Sequence, residues 1–479
     1  MPSLQNIPLE IASLVCECLS RPDLRNTRLV NRELNTAAQR VLFRTIFVKV
    51  NRPSFDRLSN ISQHTTLRHY VEAIIYDGRE VEWPENRNFE GWLRERAVEG
   101  IGVPSDKREE FLARFSEEQL RNYFSSYCEY MQFVQGPVLE GDNEMKWLRE
   151  AAGQFPRLST IEYAETELDQ QDGRELEPMS LFSPLAQQIL VEPQMGWGLW
   201  DKHFWILVMS MFSIQCHPKV TELRGEMIDH EDMAKWNQII HRLDMRNLQL
   251  LSLEFVYINS SSPAPNRAIN SFLMRAPNLR SLQLHLWDYP AIHPNPADFP
   301  RTGLFEYRLQ WKHLRELSLS HMVLSPLRLQ QLLQRHSQTL RSLELSHMTL
   351  HHGSDTVSGG ARALWISMIM FLSQSMSLKH VNFSGYFTTD TNEAWSTIGR
   401  KMTNVDISPP RFEGCLLSRI EHFIIYGGPC PFTPKAPKTL SDLDIDSSHD
   451  VRSWIPEHSW TWQEDDTWIF ASFWLSHND

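Results

Sequence analysis

One eleven-residue segment that returns almost unchanged constrains this chain most. Leu314-Arg315-Glu316-Leu317-Ser318-Leu319-Ser320-His321-Met322-Val323-Leu324 is followed 26 residues later by Leu340-Arg341-Ser342-Leu343-Glu344-Leu345-Ser346-His347-Met348-Thr349-Leu350, with eight of eleven positions identical. The same L-x-x-L-x-L spacing occurs at Leu248, Leu251 and Leu253 and at Leu279, Leu282 and Leu284. It is looser at Leu378, Val381 and Phe383 and at Ile420, Phe423 and Ile425, with earlier units suggested by Leu158, Ile161 and Tyr163 and by Val220 and Leu223. Alternating residues of a strand point to opposite faces, so each segment reads as a strand with one apolar face. Segments of helical character at 266–276, 326–337, 360–375 and 392–402 lie between them. The unit is therefore strand, turn, helix, and neighbouring units must stack, because none can bury its apolar face alone.

This organisation resembles leucine-rich repeats, and the resemblance implies an α/β fold in which parallel strands line the concave side of a curved solenoid and helices cover the outside. Successive units are 31, 35, 26, 38 and 42 residues apart, so the repeat is degenerate. Where many members of that family place an Asn ladder, this chain has Val256, Trp287, Met322 and Met348, which predicts turns stabilised by packing. With this register one outward row is Ser252, Gln283, Ser318, Glu344, Asn382 and Ile424. It is flanked by Glu254, His285, Ser320, Ser346, Ser384 and Tyr426. The expected target-binding residues are Ser252, Gln283, Ser318, Glu344, Asn382 and Tyr426.

The first fifty residues read differently. Ile11, Leu14, Val15, Cys18 and Leu19 follow the i, i+3, i+4, i+7, i+8 rule and predict one face of an amphipathic helix opened by Pro8. Asp23 is a candidate cap for a second helix carrying Leu24, Leu29 and Val30, and Asn31 for a third carrying Leu34, Ala37, Ala38, Val41 and Leu42. Three helices in about forty residues bury little surface, so leftover apolar side chains would seek a partner.

The residues Ile7-Pro8-Leu9-Glu10-Ile11, Asp23-Leu24, Arg28-Leu29-Val30-Asn31-Arg32, Ala37-Ala38 and Leu42-Phe43-Arg44 resemble an F-box of the form common in filamentous fungi. Ile7 stands where that family usually has Leu, and Leu34 and Phe43 replace Trp residues of many animal members. The resemblance implies binding to the Skp-type adaptor of an SCF (Skp, cullin, F-box) ubiquitin ligase through Pro8, Leu9, Ile11, Leu24, Leu29, Val30, Leu42 and Phe43. The segment's seven Arg and Lys against four Asp and Glu suit an acidic partner, on a chain whose formal charge is −12. That acidic balance gives nucleic acid and anionic membranes no general electrostatic attraction.

Four segments are expected: the F-box at 1–50, a mixed, mainly helical connection at 51–153, the degenerate repeats at 154–440 and an acidic, Trp-rich cap at 441–479. In the second, Val71, Ile74 and Ile75 suggest a strand, and 89–134 helices broken near 100–104. Its aromatics, including Phe115, Tyr123, Phe124 and Tyr127, read as a helical core stripe. The cap carries Trp454, Trp460, Trp462, Trp468 and Trp474, nine acids and Arg452.

No phosphate-cradling glycine loop, nucleophile elbow or H-E-x-x-H pattern is found, so no catalytic residue, metal or cofactor is expected. His347, His351 and His352 read as exposed turn histidines. The six scattered cysteines form no C-x-x-C pair, the N-terminus lacks a secretory pattern, and apolar runs are shorter than a membrane span. A soluble protein of the cytoplasm or nucleus is expected. The two resemblances together imply a non-catalytic substrate receptor of an SCF-type ligase, binding adaptor, and through it cullin, at one end and an unknown target protein at the other. The alternative is a cullin-independent interaction scaffold.

Overall fold

The computed structural model describes residues 7–78, 88–94, 113, 115–164, 201–213, 219–229, 237–257, 264–288, 304–305, 309–350, 364–389, 394–396 and 416–428. The protein is α/β and forms two compact units: Met1–Ile228 with Arg242–Asp244, and Asp229–His241 with Met245–Asp479. Among the described residues no helix is long and apolar enough to cross a membrane.

The first unit opens with three short helices, α1 (Leu9–Glu17), α2 (Arg21–Thr27) and α3 (Arg32–Leu42). Asn31 caps α3 as expected, its Oδ1 accepting from the Leu34 N–H at 2.8 Å. α2 begins earlier than Asp23 predicts. Ser20 is its cap, with Pro22 in the first turn, and the Ser20 hydroxyl also donates to the Asp23 carboxylate at 2.6 Å. The helix ends at Thr27, so Leu29 and Val30 lie in the turn before α3.

The strand–helix alternation starts well before residue 154. β1 (Thr45–Lys49), β2 (Ala73–Asp77), β3 (Thr160–Tyr163) and β4 (Glu222–Asp229) pair in parallel in that order, so the 51–153 segment supplies β2 as well as helices. The helices Arg52–Gln63, Glu117–Glu129, Asn143–Ala152 and Asp201–Phe212 belong to the same unit. Trp92, wholly buried, is ringed by Phe89, Phe124 and Tyr127 at centroid distances of 5.6 to 6.2 Å; of the expected aromatic stripe, Tyr127 is buried and Phe115, Tyr123 and Phe124 are half-buried.

A buried polar cluster lies within this unit. Glu144, in the first turn of Asn143–Ala152, accepts from the Tyr76 hydroxyl and meets His203 Nδ1 at 2.8 and 3.0 Å, all three side chains being out of solvent. Burial first, then the Glu144 charge, holds the Tyr76 phenol well above its ordinary range. Gly78 sits against the cluster so closely that an added Cβ would stand 2.5 Å from the Tyr163 ring and 2.8 Å from His203 Cβ. A strand residue and two helices are thereby tied by one carboxylate.

In the second unit β5 (Leu250–Tyr257), β6 (Ser281–Asp288), β7 (Glu316–Ser320), β9 (Ser342–Leu350) and β10 (His380–Thr389) are parallel neighbours, with short β8 (Val323–Leu324) also against β9. Helices Ala264–Leu273, Pro326–Arg335 and Leu364–Ser375 connect them. Leu251, Leu282, Leu317, Leu343 and Val381 form one buried row, and Leu253, Leu284, Leu319, Leu345 and Phe383 the next. Truncating one such Leu to Ala costs roughly 2–5 kcal/mol. Met322 and Met348 are buried, Met348 within β9 and not in a turn.

Two expectations fail at the end of the repeats. The segment at 392–402, read as helical, instead contributes β11 (Ala394–Ser396), antiparallel to β10; its other residues lie outside those described. Ile420, Phe423 and Ile425, read as a strand, lie in the helix Leu416–Tyr426. There Ile420, Phe423 and Ile424 are buried, an i, i+3, i+4 set that a helix satisfies and a strand does not. Ile424 therefore leaves the outward row. Tyr426, 74% exposed at the helix end, is not a strand-face residue, and its place among the target-binding residues is withdrawn. The Trp-rich segment lies outside the described residues.

Candidate functional site

Two surfaces stand out, one in each unit. In the N-terminal module the core consists of Ala12, Cys16, Leu24, Leu34, Ala37 and Ala38, with Ile7, Leu9, Leu19, Val41 and Leu42 packed against it. The α3 stripe faces this core as its spacing predicts, with Leu34, Ala37 and Ala38 buried and Val41 and Leu42 half-buried. The α1 stripe is not: Ala12 and Cys16 face α3, and Ile11, Leu14 and Val15 are 49, 58 and 49% exposed. Small residues at i, i+4 let α1 approach Ala37 and Ala38 closely, which turns its larger side chains outward. Leu29 and Val30 are 85 and 62% exposed. Of the nine large hydrophobic side chains exposed among the described residues, five fall between positions 11 and 30, so this is where unburied apolar surface concentrates.

The eight expected adaptor residues thus divide. Pro8, Ile11, Leu29 and Val30 are exposed, and Leu9, Leu42 and Phe43 are half-buried. Leu24 is 2% exposed inside the three-helix core, so it holds the module together and cannot meet a partner. Leu14 and Val15 join the exposed set; their stripe was legible, its direction was not. Arg44 pairs with Glu17 at 2.6 Å and fastens the end of α3 to α1. Arg25 and Arg32 are exposed, have no acidic partner among the described residues, and flank Leu29 and Val30 in sequence.

The second surface is the outward face of β5–β10. Ser252, Gln283, Ser318, Glu344 and Asn382 stand in one unbroken register across five strands. The row is largely paired with itself. Ser252 donates to Gln283 at 3.1 Å, and Glu344 accepts from Ser318 at 3.2 Å and from Asn382 at 2.8 Å. In the flanking row Ser384 donates to Ser346 at 2.9 Å.

Neither the known protein-family models nor the curated proteins include a match to this chain.

Three histidines on this face pack as a stack. His285 lies 4.7 Å from His321, and His321 4.2 Å from His347, with ring planes 22° and 14° apart. His321 and His347 hold φ of 55° and 50°, the left-handed conformation that turns each ring out of the strand alternation. His347 is therefore a stacked strand residue and not an exposed turn residue, while His351 and His352 lie outside the described residues. Parallel rings cannot aim their in-plane nitrogens at one ion. Among the described residues no group of three His, Cys, Asp or Glu is placed to hold a metal.

Burial first, and then the neighbouring imidazoles, pushes His285 down to about 4 and His321 down to about 3. The sign follows from linkage. The unfolded chain takes up these protons near pH 6.5 and the folded chain only far lower, so stability is full above about pH 6.5 and is lost as pH falls toward 4 and 3. Discounted for partial exposure, the expected loss between pH 7 and 5 is on the order of 2 kcal/mol for the two rings. Urea midpoints at the two pH values measure it. His321→Asn, which keeps a residue tolerant of positive φ, should remove a large part of the difference.

Proposed function

We propose that this chain is a non-catalytic substrate-recognition subunit of an SCF-type ubiquitin ligase. In this reading the three-helix module is an F-box that docks a Skp-type adaptor, and the parallel strand–helix units are degenerate leucine-rich repeats of a curved solenoid that hold a target protein. The observation that carries it is the concentration of exposed apolar side chains at Ile11, Leu14, Val15, Leu29 and Val30 on a module whose own core is built from Ala12, Cys16, Leu24, Leu34, Ala37 and Ala38. Apolar side chains of this kind gain free energy when a partner takes them out of water, and Arg25 and Arg32, which have no acidic partner among the described residues, favour an acidic one.

The chain itself would perform no bond-making step. Holding target lysines beside the loaded ubiquitin carrier raises their effective concentration and makes transfer nearly unimolecular. Work in the cytoplasm or nucleus, with no nucleic acid or membrane partner, belongs to the same proposal. Its test is co-purification of the full chain with Skp-type adaptor and cullin from cells. Recovery of both supports it; recovery of adaptor without cullin makes the chain a cullin-independent scaffold; recovery of neither removes the F-box assignment.

A further inference from the structure

The residue just before each of the five parallel strands β5, β6, β7, β9 and β10 forms a series of its own. Gln249, Arg280, Arg315, Arg341 and Lys379 precede β5, β6, β7, β9 and β10. Each N–H in turn donates to the carbonyl of the residue before it in that series, at 2.7 Å at all four steps. Four cations thus stand on four consecutive strands, spaced by about 4.8 Å per strand. Arg341 is half-buried and donates to the carbonyls of Leu340 and Gln338 at 2.8 Å each. Arg280, Arg315 and Lys379 are exposed, and no carboxylate among the described residues pairs with them. Lys312 is exposed in the turn leading to β7, and the adjoining row, Ser281, Glu316, Ser342 and His380, has one acid.

This arrangement is unusual for a chain of charge −12. Like charges side by side on neighbouring strands are destabilising, and among the described residues no carboxylate pairs with Arg280, Arg315 or Lys379 to offset the repulsion. The outward row further along the same strands, Ser318–Glu344–Asn382, is hydrogen-bonded within itself.

We infer that the Arg280–Arg315–Arg341–Lys379 ladder is the docking surface for an acidic segment of a partner protein, an extended run of Asp and Glu side chains lying across the strands. Three strand steps span roughly 14 Å, the length of about four extended residues. Guanidinium groups donate to carboxylates in bidentate pairs, and a bound acidic run relieves the repulsion within the ladder. This names the target chemistry within the function proposed above, but it concerns the second unit alone, so adaptor binding and acidic-peptide binding succeed or fail separately.

The test is fluorescence anisotropy of a labelled Asp/Glu-rich decapeptide titrated with the purified full chain, no adaptor being present. We expect saturable binding that weakens about tenfold in Arg280→Glu/Arg315→Glu and weakens with salt. Arg280→Gln/Arg315→Gln should lie between, and Arg242→Glu, an exposed charge change in the first unit, should bind as the wild type does. Unchanged circular dichroism shows that the variants fold. Equal binding by the variants, no binding by the wild type, or tighter binding of an oligonucleotide in competition would each overturn the inference. So would binding gained only after removal of residues 441–479, since the ladder would then belong to the chain's own acidic end.

Discussion

Glu144→Ala is expected to destabilise the first unit by about 3–5 kcal/mol, the range for removing one partner of a buried charge-bearing pair. The substitution strands two buried groups at once. The Tyr76 hydroxyl loses its acceptor and His203 Nδ1 loses both carboxylate oxygens, in a place out of solvent in the native fold. Glu144→Gln should cost less, because an amide oxygen still accepts from Tyr76 and is of nearly the same shape. A thermal melt of the three proteins reads the order wild type, Gln, Ala. Equal melting temperatures for wild type and Ala would mean that the cluster contributes nothing to the fold.

The second large effect is on binding rather than stability. Leu29→Asp/Val30→Asp changes side chains that are 85 and 62% exposed, so folding should be almost unaffected. In the proposed complex the same two carboxylates would be buried without partners, and adaptor affinity should fall about a hundredfold or more, roughly 3 kcal/mol. Leu24→Asp separates the roles. Its side chain lies in the core of the module, so that variant should lose adaptor binding together with the helical signal of the module.

Why some elements were legible and others not is physical. In α3 the periodic stripe faces the core along its length, Leu34, Ala37 and Ala38 buried and Val41 and Leu42 half-buried against them. In α1 periodicity announced a helix but not its orientation, since close packing selected Ala12 and Cys16 and left the bulkier stripe outside. Strand register was readable because a near-identical repeat forces residues of equal position onto the same rung, from Ser252 across to Asn382. The last helix was not, since Ile420, Phe423 and Ile425 fit a loose strand pattern as well as Ile420, Phe423 and Ile424 fit a helix, and tertiary packing chose. The Tyr76–Glu144–His203 cluster joins residues 59 to 68 positions apart and has no local signature. The histidine stack and the basic ladder did have one: both repeat at equal positions in the duplicated segment, and only the fold shows that repetition becomes contact.

The central claim is that the exposed apolar side chains of the first thirty residues dock a Skp-type adaptor. Isothermal titration of the purified full chain with purified adaptor tests it most directly, with Leu29→Asp/Val30→Asp as comparison. A saturable complex with a negative heat-capacity change from apolar burial is expected, lost in the variant while its melting temperature stays that of the wild type. Absence of binding by the folded wild type, or equal binding by the variant, would contradict it.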